Sequence, residues 1–173
     1  MKLTSVVLAI LVALVLQVTL ARYMVGGRWA FDLVLVGVIF AALQWGPVAG
    51  MFAGTLGGLA QDVLAGDVVG IGGLAKTVAG FLSGTIGQQL LLVRPSARAV
   101  IVGVATIVHR LLIIGVFALI DQQWPAVSWG VMLAEVIINT SCGLIAFQAA
   151  AALPNALERQ RLSRRSSLSR RNW

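Results

Sequence analysis

Glycine recurs at every fourth residue through two consecutive apolar segments of this chain, and that spacing limits how the segments can pack. Gly46, Gly50, Gly54 and Gly58 lead to Asp62; after a glycine-rich turn, Lys76 is followed at the same interval by Gly80, Gly84 and Gln88. Residues four apart share one helix face, so each series predicts a single stripe. Folded as an antiparallel hairpin, the stripes can face each other, with the backbones close along the glycines and Asp62 and Lys76 at the same end. The stripes fit two uses: packing of these helices on each other, or a face kept for a partner helix or a homodimer.

The environment of the hairpin follows from hydropathy. Hydrophobic residues make up 59% of the 173 and mean hydropathy is +0.95, far above soluble globular chains, so the chain reads as one integral membrane domain. A bilayer core of about 30 Å takes about 20 helical residues. Six segments are candidates: Leu3 to Ala21, Phe31 to Trp45, Pro47 to Leu64, Leu74 to Val93, Ala99 to Ile120 and Val127 to Leu153, the second short and the sixth long enough to tilt. None alternates as a barrel strand does, so the expected fold is all-α with six transmembrane helices. The first run is nineteen residues long without a clear small-x-small cleavage site, and reads as a retained span rather than a signal peptide. Residues 1–153 form the membrane domain and 154–173 a basic tail, which leaves no room for a soluble catalytic domain.

Orientation follows from the basic residues. With the N-terminus inside, Lys2, Arg94, Arg98 and Arg159, Arg161, Arg164, Arg165, Arg170 and Arg171 are cytoplasmic, whereas only Arg22, Arg28 and Lys76 lie outside. Both termini are then cytoplasmic, and Trp29, Trp45, Trp124 and Trp129 fall near segment ends, as interfacial tryptophans do. The second and third spans are joined by Trp45-Gly46-Pro47 and must be neighbours. The third and fourth are joined by a loop from Ala65 to Gly73, and Pro95 is expected to stop the fourth, with Ser96 capping the fifth.

An ionisable group at the centre of a span costs about 2.5 to 3.5 kcal/mol on insertion scales, so each calls for an explanation. Asp62 and Lys76 are expected to pair across the hairpin or to form an ion or solute site beside the loop. Arg110 and Glu135 lie at similar depth on neighbouring spans and are expected to form a salt bridge, with Asn139 one turn deeper than Glu135; a proton relay through Glu135 and His109 is the alternative. Cys142, the single cysteine, reads as a buried small hydrophobe. The tail reads as a mobile segment that contacts anionic membrane lipids or a cytoplasmic partner; nucleic acid is not expected. Phosphate-loop, zinc-protease and Ser/His/Asp patterns are missing from the sequence, which predicts no catalytic residue, no cofactor and no metal site.

Three stretches carry a family resemblance. Arg28-Trp29-Ala30-Phe31-Asp32-Leu33-Val34-Leu35 leads into Gly46-Pro47-Val48-Ala49-Gly50; Gly57-Gly58-Leu59-Ala60-Gln61-Asp62-Val63-Leu64-Ala65-Gly66 follows, then Gly70-Ile71-Gly72-Gly73-Leu74-Ala75-Lys76-Thr77. Together with the length, the six-span plan and the basic C-terminus, they resemble the rod shape-determining protein MreD family. The succession Asp62, Gly66, Gly70 is the most specific part, whereas Arg110 and Glu135 match by position alone. The resemblance implies a non-enzymatic component of the bacterial cell-elongation machinery in the inner membrane. It would bind the single-span protein MreC, in an assembly with MreB, RodA and a penicillin-binding transpeptidase. The family's fold resembles the six-helix substrate-binding subunits of energy-coupling-factor vitamin transporters, so a solute-binding subunit is the alternative. An ion or proton carrier using Asp62, Glu135 and His109 stands third.

Overall fold

The computed structural model describes residues 3–21, 31–89, 95–121 and 127–169. They form six helices: α1 (Leu3–Ala21), α2 (Leu33–Trp45), α3 (Pro47–Ala65), α4 (Ile71–Gln89), α5 (Pro95–Asp121) and α6 (Trp129–Ser169). Among the described residues there is no strand. Among the described residues three segments are long and apolar enough to cross a membrane: Pro47–Ala65, Pro95–Ile120 and Trp129–Ala152. The 13-residue α2 reaches only about 20 Å. Its neighbour α4 has 19 residues, but glycines and Lys76 dilute its apolar character.

The shortest of these helices is the hub, because α2 touches each of the other five. Its sequence explains the position. Val34, Val38 and Ala41 form one stripe, packed with Val6, Ile10 and Leu14 of α1 and Ala49 and Ala53 of α3. Leu35 and Ile39 form a second, packed with Ala79 of α4, Ile101, Val102 and Ala105 of α5, and Phe147 of α6. A helix that is apolar all round has no face suited to water and lies within its neighbours.

The glycine stripes meet inside the protein. A methyl group built on Gly50 would lie 2.5 Å from the Gly80 carbonyl oxygen, and one on Gly58 would lie 2.5 Å from the Gly73 Cα. On Gly54 it would collide with the Lys76 carbonyl, and on Gly84 it would sit 2.5 Å from the Pro47 Cα. Backbone contact of this kind supplies the van der Waals attraction that holds helices together where apolar burial gives little, since lipid tails are as apolar as leucine. A hydrogen bond between the Thr55 and Thr77 hydroxyls, 2.8 Å long, crosses the same interface.

Several boundaries differ from the expected ones, each for a local reason. The second helix begins at Leu33 rather than Phe31, because Asp32 caps it. The fourth begins at Ile71, which draws Gly72 and Gly73 into the helix and shortens the loop. Pro95 is the first residue of α5, a position that needs no N–H donor, and Ser96 therefore lies within the helix rather than at its cap. The helical backbone of α6 continues past Pro154 to Ser169, where a mobile tail was expected. Cys142 is half-buried rather than buried. The expectations on Lys2, Arg22, Arg28, Trp29, Arg94, Trp124, Arg170 and Arg171 lie outside the described residues, while Trp129 is 65% exposed.

Candidate functional site

The start of α2 is buried, and that creates a demand. The first N–H groups of a helix have no partner within it. Here three side chains answer. Asp32 Oδ1 accepts from the Leu35 N–H at 2.9 Å, Gln17 Oε1 of α1 from the Val34 N–H at 3.0 Å, and Asn139 Oδ1 of α6 from the Asp32 N–H at 2.8 Å.

The other oxygen of Asp32 meets a cation. Lys76 Nζ lies 2.7 Å from Asp32 Oδ2, and both side chains are buried. Lys76 Nζ also lies 3.3 Å from His109 Nε2. An ammonium only donates, so Nε2 accepts and the ring proton sits on Nδ1, which has no partner. Asp32, Lys76 and His109 thus join α2, α4 and α5 through one charged contact and its neighbour.

Asp62 does something different. Its Oδ2 accepts from the Gly70 N–H at 2.8 Å and from the Gly73 N–H at 3.2 Å, so the carboxylate fastens the turn to the first residues of α4. The turn is built for it. Gly66 ends α3 at φ +72°, donating to the Asp62 carbonyl, and Gly70 has φ +106°, a region that favours glycine. A methyl group on Gly72 would collide with the Asp62 carboxylate. The expected Asp62 to Lys76 pair is therefore not formed: the two share an end of the bundle, but backbone N–H groups hold Asp62 and Asp32 holds Lys76.

Arg110 and Glu135 are brought together, with Arg110 Nε 3.8 Å from Glu135 Oε2. This is an ion contact without a hydrogen bond, since Glu135 Oε2 has no bonded partner. The Arg110 side chain is 37% exposed and that of Glu135 is 5% exposed. Gly50, Gly54, Gly58, Gly80 and Gly84 lie in the hairpin contact, where Gly54 meets the Lys76 backbone.

A cavity of about 340 Å³ opens among these groups, lined by Asp32, Asp62, Lys76, His109, Arg110 and Glu135 together with apolar side chains. Among the described residues no group of three or more His, Cys, Asp or Glu is placed to hold a metal ion.

Sequence reasoning passed over Asp32 and Gln17 as site residues. Both carried a signal. Asp32 lay inside the expected second span, and Gln17 is a polar residue within the apolar run of the first. Comparisons of the chain with family models, curated proteins and solved structures give no match.

Proposed function

We propose that this chain is a non-enzymatic membrane scaffold of the bacterial cell-elongation machinery, an MreD-like protein that binds MreC. In this reading all six helices lie in the inner membrane with both termini cytoplasmic, and the α3–α4 turn faces the periplasm. MreB, RodA and a penicillin-binding transpeptidase complete the assembly. One observation carries the reading. Asp62, Gly66, Gly70, Gly72 and Lys76 belong to one hairpin end, and Asp32, from a separate stretch of the resemblance, joins them there through its ion pair with Lys76. A motif whose members meet in space is more than a run of apolar and small residues. It supports a built end-piece that a partner segment can read.

The cavity favours a second reading, a solute-binding subunit of an energy-coupling-factor-type transporter. A pull-down in mild detergent separates the two. The scaffold reading expects co-purification with MreC; recovery of a bound vitamin and no MreC would replace it with the transporter reading.

A further inference from the structure

Residues of α1, α3, α4, α5 and α6 form the wall of the cavity, together with Phe31 and Asp32 just before α2 and the α3–α4 turn. Its volume of about 340 Å³ lies in the range that takes a small organic ligand. The charge balance along the wall is negative, with Asp32, Asp62, Asp67 and Glu135 set against Lys76 and Arg110. Lys76 is matched at 2.7 Å by Asp32, and Asp62 is engaged by backbone N–H groups. Glu135 is less well served. It is 4% exposed, and among the described residues its nearest cation is 3.8 Å away and Oε2 accepts no hydrogen bond. Gln61, which also lines the cavity, has in Oε1 a second buried acceptor without a partner among the described residues. His109 Nδ1 is also without a partner among the described residues, while Nε2 is turned to Lys76. A buried acceptor left without a donor carries an uncompensated desolvation cost, larger when it is charged. What Glu135 Oε2 lacks is a donor within hydrogen-bond distance. Leu14, Phe31, Ile113 and Phe117 supply apolar surface beside it.

We propose that this cavity binds a primary ammonium group carried on a short apolar body, with Glu135 as counter-charge and Gln61 Oε1 as hydrogen-bond acceptor. The assignment does not depend on the scaffold reading. A free arylalkyl amine and the headgroup of phosphatidylethanolamine both offer this chemistry.

The test places the full chain in phosphatidylcholine nanodiscs and titrates phenethylammonium by calorimetry, with phenylpropionate and phenethyl alcohol as anionic and neutral probes of similar body. Saturable binding of the ammonium is expected, roughly tenfold or more tighter than either counterpart and roughly tenfold weaker in Glu135→Gln, as a charge-assisted hydrogen bond implies. Gln61→Leu changes no charge and guards against a folding defect at Glu135; it should weaken binding by about threefold or more. Repeating the titration in discs containing phosphatidylethanolamine identifies the source. Loss of phenethylammonium binding assigns the site to the lipid headgroup, and unchanged binding assigns it to a free amine. Absence of saturable binding, equal or tighter binding of phenylpropionate, or an unchanged Kd in both variants overturns the proposal and leaves the cavity to water.

Discussion

Lys76 on α4 and Asp32 at the start of α2 form a buried ion pair, Nζ to Oδ2 at 2.7 Å. Removing one member of such a pair strands the other, at a cost of about 3–5 kcal/mol, whereas removing both costs far less. Lys76→Met is therefore expected to lower the melting temperature in detergent sharply, and Asp32→Asn/Lys76→Met to regain most of the loss. Asn keeps an oxygen for the Leu35 N–H, so the helix cap survives in the double variant. A double variant no more stable than Lys76→Met would show that the pair is not what holds these helices.

Asp62 and Lys76 should behave independently. With backbone N–H groups holding one and Asp32 the other, their effects on unfolding free energy are expected to add within about 0.5 kcal/mol. Asp62→Ala, which leaves the Gly70 and Gly73 N–H groups unanswered, should cost about 1–2 kcal/mol, and Asp62→Asn less. Thermal unfolding of the single and double variants measures both quantities, and strong coupling would contradict the observed partners.

The glycines should separate by environment. Gly54→Ala drives a methyl group into the Lys76 carbonyl and is expected to reduce the folded fraction severely, whereas Gly115→Ala meets nothing within 4 Å and should be neutral or mildly stabilising. Gly66→Ala has open space as well, but at φ +72° it should still cost roughly 1–2 kcal/mol. Fluorescence-detected size-exclusion chromatography of the three variants checks the order. Equal tolerance of Gly54→Ala and Gly115→Ala would disprove the close α3–α4 contact.

For the Arg110 and Glu135 contact the two ends are unequal. Arg110→Ala leaves a buried carboxylate alone, while Glu135→Gln leaves a cation that is 37% exposed. Arg110→Ala is expected to reduce membrane accumulation more than Glu135→Gln, and Glu135→Gln should restore it in the Arg110→Ala background. Quantitative immunoblotting of the membrane fraction reads the ranking, and the reverse order would mean that Arg110 is the more dependent partner.

How far these features can be read from the sequence depends on whether they are local. The apolar runs locate all six helices, and the four-residue glycine spacing anticipates the α3–α4 hairpin, because both rest on periodicity along one helix. The partner of Lys76 does not follow from periodicity. Asp62 is the obvious candidate, since both charges must reach the same end of the hairpin. Asp32 takes the role because α2 is short, so that its first turn ends inside the bundle at the level of Lys76, and no pattern within Leu33–Trp45 records that depth. The cap from Asn139 is harder still to foresee, as it lies 107 residues from the group it bonds. Pro95 sits at the first turn of α5 and the helical backbone of α6 continues through Pro154, so residue type alone does not place these boundaries.

The brevity of α2 also bears on how the chain is made. Thirteen residues do not cover the roughly 30 Å of a bilayer core, and the helix start needs acceptors from Gln17 and Asn139. During synthesis Gln17 has already emerged, whereas Asn139 comes more than a hundred residues later. Until α6 arrives, the Asp32 N–H has no lasting partner, so the start of the central helix is completed only by a segment made long after it.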